Sequence, residues 1–154
     1  MNLNVNNILV IGLGIIGSSI ALSAKSKGIN VHGFDSDSSI TEHAIKSDVI
    51  DQSVSALESI NSKEYAKDLD LIIIAVPPKQ TLDVLNNLYE VWNTNTTITD
   101  TSSVKNHIKI ENVSNIVLSH PIAGSDKSGI DAADKNLFIN CLLYTSPSPR
   151  DLRK

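Results

Sequence analysis

The chain has 154 residues, 41% of them hydrophobic and 19% charged, which suits one globular domain with a core of its own. A single cysteine, Cys141, excludes a disulfide framework and a cysteine-based zinc site, and no spacing among His32, His43 and His107 suggests a metal, so none is expected; a net charge of -4 argues against a nucleic-acid partner. No apolar run approaches the roughly 18 residues of a membrane helix and no basic leader opens the chain, so the expectation is a cytoplasmic α/β protein with no membrane partner.

The apolar run Asn7 to Ile11 reads as a buried strand, and Ile15 to Lys27 as a helix with Ile16, Ile20 and Ala24 on one face and Gly28 closing it. Asn30 to Phe34 reads as a second strand, followed by a helix towards Asp48 capped by Ser38 or Ser39. Residues 49–66 suggest a short strand near Ile50 and a helical piece near Tyr65. Leu71 to Val76 is the clearest buried strand, ended by Pro77-Pro78, with an amphipathic helix from Gln80 to Trp92 after it. A strand at Thr96 to Thr99, a short helix at Val104 to Glu111 and a strand at Ile116 to Leu118 complete the pattern. Strands alternating with helices imply parallel βαβ units.

Composition breaks near residue 140. Residues 1–140 hold ten lysines and no arginine, whereas Arg150, Arg153, Pro147, Pro149 and Cys141 all fall in the last fourteen residues. The string Cys141 to Asp151 resembles the translation of a transposase-end sequencing adapter. Residues 141–154 are therefore expected to be a non-native tail with no domain, and residues 1–140 the domain proper.

Gly12-Leu13-Gly14-Ile15-Ile16-Gly17 is a GxGxxG that follows a strand and opens a helix, with Asp35 at the end of the next strand. That context is the dinucleotide-binding fingerprint of a Rossmann-type, doubly wound, mostly parallel sheet. Gly12 allows the tight turn, Gly14 leaves room for the pyrophosphate, and Gly17 lets the helix pack close to the sheet. The helix N-terminus then offers free amides to the phosphates. Asp35 suits the ribose hydroxyls and would repel a 2′-phosphate, so NAD is expected over NADP. Val76, at the carboxyl end of a central strand, is expected beside the nicotinamide ribose.

The second half carries Asp100-Thr101-Ser102-Ser103-Val104-Lys105, then Ser119-His120-Pro121-Ile122-Ala123-Gly124 with Ser128-Gly129 beyond it, and Ala133-Asp134-Lys135-Asn136-Leu137-Phe138. Taken with the glycine turn, these segments resemble the prephenate dehydrogenase family and its arogenate dehydrogenase relatives over residues 7–139. The resemblance implies NAD-dependent oxidative decarboxylation of prephenate to 4-hydroxyphenylpyruvate in tyrosine biosynthesis. His120 would be the base that takes the ring-hydroxyl proton, a task suited to an imidazole. Proline after it restrains the backbone that projects the ring. Ser103 would bond the histidine and substrate, although capping a helix at Val104 is nearly as good a reading. Asp100 and Lys105 match the motif without an assigned step. His32, His43 and His107 read as structural or solvated.

One departure stands out. A substrate with two carboxylates calls for arginine partners, and residues 1–140 have none. In the family, the substrate-binding arginine and a helical dimerisation domain come later in the chain. The resemblance thus implies a fragment of a homodimeric enzyme that lacks that C-terminal domain. Two other readings stay open: another NAD-dependent dehydrogenase, or a non-catalytic NAD-binding regulatory domain. The base-bearing segment 119–124 favours an enzyme.

Overall fold

The computed structural model describes residues 4–105 and 108–145. Seven strands form one sheet: β1 (Asn7–Ile11), β2 (Asn30–Phe34), β3 (Gln52–Ser53), β4 (Leu71–Ile74), β5 (Thr97–Asp100), β6 (Ile116–Ile122) and β7 (Leu142–Thr145). Their order is β3-β2-β1-β4-β5-β6-β7. The first six are parallel, as expected, and follow the doubly wound order in which the crevice opens where the winding reverses, between β1 and β4.

The central strands are apolar on both faces because both are covered. Leu9 and Ile11 of β1 pack with Ile72, Ile74 and Ile98 against Val84 and Leu85 of helix α5 (Pro78–Asn87) and against Leu88 just after it. The alternate residues Ile8 and Val10 pack with Val31 and Ile73 against Ala21 and Ala24 of α1 (Ile15–Lys25) and Ala44 of α2 (Ser38–Lys46). Two short helices, α3 (Leu57–Ile60) and α4 (Lys63–Ala66), close the α5 side through Ile60 and Ala66.

Several boundaries differ from expectation. The cap of α2 is Asp37, whose carboxylate accepts the Ser39 amide at 3.0 Å, rather than either serine. The strand expected near Ile50 lies at β3, and Ile50 itself is buried behind Gly33. The helix expected through Trp92 stops at Asn87, and a 3-10 turn at Tyr89–Val91 follows. No helix forms among the described residues of 104–111; His107 lies outside them. There Lys105 is drawn back to Asp100 and Ser119, and the Ser102 hydroxyl accepts the Val104 amide at 3.2 Å, contacts a helical turn would break. β6 runs four residues beyond Leu118, which puts His120 inside a strand.

Residues 142–145, set aside at the sequence level, pair antiparallel with the outer edge of β6, from Ile122↔Leu142 to Ser119↔Thr145. An open edge presents unpaired amides and carbonyls, and a Leu-Leu-Tyr-Thr run has the β propensity to meet them. All four β7 residues are nevertheless exposed. The pairing is one of backbones and adds little core. Removal of residues 141–154 is therefore expected to shift the thermal midpoint by no more than about 4 °C, on the order of 1 kcal/mol. A melt followed by circular dichroism measures it, and a larger drop would mean that β7 holds β6 in place.

His32 on β2 is half-buried, with Nδ1 2.8 Å from the Tyr65 hydroxyl and Nε2 3.1 Å from the Asn30 amide nitrogen. Burial lowers its pKa, against a smaller upward pull from Asp51. The unfolded chain thus takes up this proton more readily than the folded one. The stability that neutral His32 contributes is present above the ordinary imidazole pKa of about 6.5 and is lost as pH falls through it. His32→Gln is expected to melt at a temperature that changes less than the wild type's between about pH 7.5 and 5.5; equal slopes would remove His32 from this role.

Candidate active site

The carboxyl ends of β1, β4, β5 and β6 open into one cleft of about 790 Å³. Gly12, Gly14, Ile15, Ile16, Asp35, Val76, Ser103 and His120 all line it. Residues 108 positions apart in sequence, from Gly12 to His120, so converge on one space.

The glycine turn is built by close approach. Gly12 has φ +94°, and a Cβ on it would stand 2.6 Å from the Ala75 carbonyl oxygen on β4's exit. A Cβ on Gly17 would stand 1.8 Å from the Gly12 carbonyl oxygen, so α1 lies against the turn with no space for a methyl group. Gly14, in contrast, has nothing within 4 Å of where its Cβ would be. Gly14 is also the N-cap of α1 and supplies no side-chain cap, and the first-turn amides have no partner inside the helix. An open cradle ringed by unpaired donors at a helix N-terminus fits a pyrophosphate. Leu13 contributes only backbone: its side chain is fully buried, and its amide donates to Asp35 Oδ2 at 2.9 Å.

That bond, with the Asp37 amide donating to Oδ1 at 3.0 Å, fixes the Asp35 carboxylate at the cleft's edge. Each oxygen keeps a lone pair for a further donor. Among the described residues, the charged side chains lining the cleft are Asp35 and Asp83, with no lysine or arginine. Sequence reasoning missed Gln80, Asp83 and Asn87, which face the cleft from α5. Their i, i+3, i+7 spacing, which puts them on one side of the helix, was the available signal.

His120 is partly buried, and its Nδ1 lies 3.1 Å from the Thr101 carbonyl oxygen. A carbonyl only accepts, so the neutral ring carries its proton on Nδ1 and leaves the Nε2 lone pair as acceptor. Ser103 is exposed on the same wall, and with no helix among the described residues of 104–111 the capping reading lapses. Behind them the fully buried Asp100 carboxylate receives the Lys105 ammonium. Burial pushes the Lys105 pKa below the usual lysine value, while the Asp100 hydrogen bond pulls it up.

The family described as "Prephenate dehydrogenase, nucleotide-binding domain" matches residues 20–151. The chain belongs to this family. It is 36% identical over 158 residues to a prephenate dehydrogenase of Lactococcus lactis, covering 96% of this chain and 42% of that protein. With a Bacillus subtilis prephenate dehydrogenase it shares 34% over 161 residues, covering 97% of this chain and 42% of that one. Among solved structures, Synechocystis arogenate dehydrogenase superimposes with a TM-score of 0.80 at 28% identity, covering 95% of this chain and 53% of the other. The chain thus spans about half the length of these relatives. No helix among the described residues is long and apolar enough to cross a membrane.

Two glycine substitutions separate fold from cradle. Gly17→Ala is expected to destabilise by about 3 kcal/mol or more, because backbone must move to admit the methyl group. Gly14→Ala is expected to leave the thermal midpoint almost unchanged and to weaken dinucleotide binding. Thermal melts and calorimetric titration with NAD read the two effects; an unchanged midpoint for Gly17→Ala would contradict the contact.

Proposed function

We propose that this chain is the nucleotide-binding half of an NAD-dependent dehydrogenase that oxidises and decarboxylates prephenate to 4-hydroxyphenylpyruvate, a cytoplasmic step of tyrosine synthesis. The observation that carries the reading is the convergence on one cleft of the glycine turn, Asp35 and His120, whose Nδ1 lies against the Thr101 carbonyl. The bound nicotinamide supplies the hydride acceptor. The α1 amides hold the pyrophosphate, and Asp35 accepts from the adenosine ribose hydroxyls and disfavours a 2′-phosphate, so NAD binds more tightly than NADP. Val76 borders the nicotinamide ribose. His120 Nε2 accepts the proton of the substrate's ring hydroxyl as the ring carbon loses its hydride, the carboxylate leaves as carbon dioxide, and the ring becomes aromatic. Ser103 donates a hydrogen bond to the substrate side.

The acidic cleft supports a further element of the reading. Two substrate carboxylates need cations that this wall does not carry, so they come from a second, helical domain, which in this reading also forms the homodimer. Residues 1–140 form the nucleotide-binding domain and residues 141–154 a tail outside it, a reading supported by the exposure of all four β7 residues. Arogenate is the second reading, favoured by the likeness to Synechocystis arogenate dehydrogenase.

Two measurements test this reading. Calorimetry on the chain itself is expected to give a lower Kd for NAD than for NADP. A chimera is then made in which residues 4–140 replace the matching half of the Lactococcus lactis enzyme. It is expected to form NADH from prephenate, and His120→Asn in it to lower kcat by roughly 10²–10⁴-fold, the usual worth of a general base. A chimera that binds NAD yet turns over neither prephenate nor arogenate would refute the activity. A fully active His120→Asn chimera would move the base elsewhere.

A further inference from the structure

The carboxylate of Asp100 is the most buried charge beside the cleft, fully enclosed at the end of β5. Its donors come from both sides of the β5–β6 seam. Oδ2 accepts the Ser102 amide at 3.0 Å and the Lys105 ammonium, while Oδ1 accepts the Ser119 amide at 3.1 Å. Lys105 also donates to the Ser119 carbonyl at 2.7 Å, and the Ser119 hydroxyl donates to the Asp100 carbonyl at 2.7 Å. Ser119 is thus held at its amide, its carbonyl and its side chain by two residues.

The neighbours of the clamped positions give it a purpose. Thr101 follows Asp100, and His120 follows Ser119, and these two make the 3.1 Å contact between carbonyl oxygen and Nδ1. Thr101 is fixed from its other side as well, its amide donating to the Ile74 carbonyl at 3.0 Å. A buried ion pair is a poor device for stability alone, since desolvation offsets most of its Coulombic gain. Its strength is geometric: two charged groups with fixed donors and acceptors tolerate one arrangement.

We propose that Asp100 and Lys105 are positioning residues for His120, clamping the β5 and β6 ends so that the Thr101 carbonyl holds the ring proton on Nδ1 and Nε2 stays free to accept. The proposal rests on the reading of His120 as base for its catalytic meaning, but the clamp itself acts without cofactor or substrate. Neither residue touches the reacting atoms; both act through the backbone on either side of the seam.

The tautomer of His120 reads this out. Long-range 1H–15N correlation on the labelled chain at about pH 9, well above the ordinary imidazole pKa, reports which ring nitrogen is protonated. The His120 signals are those lost in His120→Asn. The wild type is expected to be Nδ1–H. Lys105→Met is expected to lower the Nδ1–H population about two-fold or more, and Lys105→Arg to restore part of it, because a guanidinium can still bridge both oxygens. In the chimera, Lys105→Met is expected to lower kcat while leaving the KM for NAD near its parent value.

A Lys105→Met protein with a lowered thermal midpoint and a wild-type tautomer would overturn the proposal, leaving the pair a purely structural one. So would a wild-type chain in the Nε2–H form, a result that needs no variant to fold. Should Lys105→Met fail to fold, Lys105→Gln, which keeps one donor and loses the charge, carries the same expectation. A tautomer that depends on Lys105, alongside a fully active His120→Asn chimera, would uphold the clamp and refute only the base.

Discussion

The structure hangs on the contact between α1 and the turn that precedes it. With 1.8 Å between a notional Gly17 Cβ and the Gly12 oxygen, no other residue permits this approach. The contact sets α1 at an angle that directs its first-turn amides over the end of β1. Gly12 in turn presses against the exit of β4, which fixes the spacing of the two strands flanking the crevice. Everything described at the cleft, including the reach of Asp35 to the Leu13 amide, presupposes that geometry.

Much of this was legible because local sequence and tertiary context agree. β1, β2 and β4 are short segments bounded by Gly12, Asp35 and Pro77, the first and last of them apolar runs, and each stands where the sequence predicts, within two residues. The glycine triplet announces its own turn, since each position answers a different steric demand. The segment from Val104 to Glu111 was misread for the opposite reason. Its residues suit a helix locally, but Lys105 has a better partner in a buried carboxylate that no periodicity reveals. The length of β6 was likewise hidden, because proline at residue 121 reads as a stop and is tolerated beside an edge partner.

The candidate site was legible in its residues more than in its contacts. His120 and Ser103 share the cleft, yet the atom His120 touches is the Thr101 carbonyl, which a sequence motif does not display. The same holds for α5, whose polar face only acquires meaning once the helix is seen to border the crevice. Side-chain identity is written in the chain, whereas backbone carbonyls become functional groups only through folding.

The two-sided burial of β1 has a consequence for how its length is read. Because Leu9 and Ile11 face one apolar layer and Ile8 and Val10 the other, shifting the strand by one residue would exchange the two sets with little loss of burial. Hydrophobicity therefore does not choose the strand's phase. What chooses it are its ends: Asp70 Oδ2, which receives the Asn6 and Asn7 amides at 2.7 and 2.9 Å, and Gly12, which must meet β4 without a side chain. A one-residue insertion between them would leave a chain as greasy and nearly as well packed as before, with its glycines rotated half a turn away from the ligand.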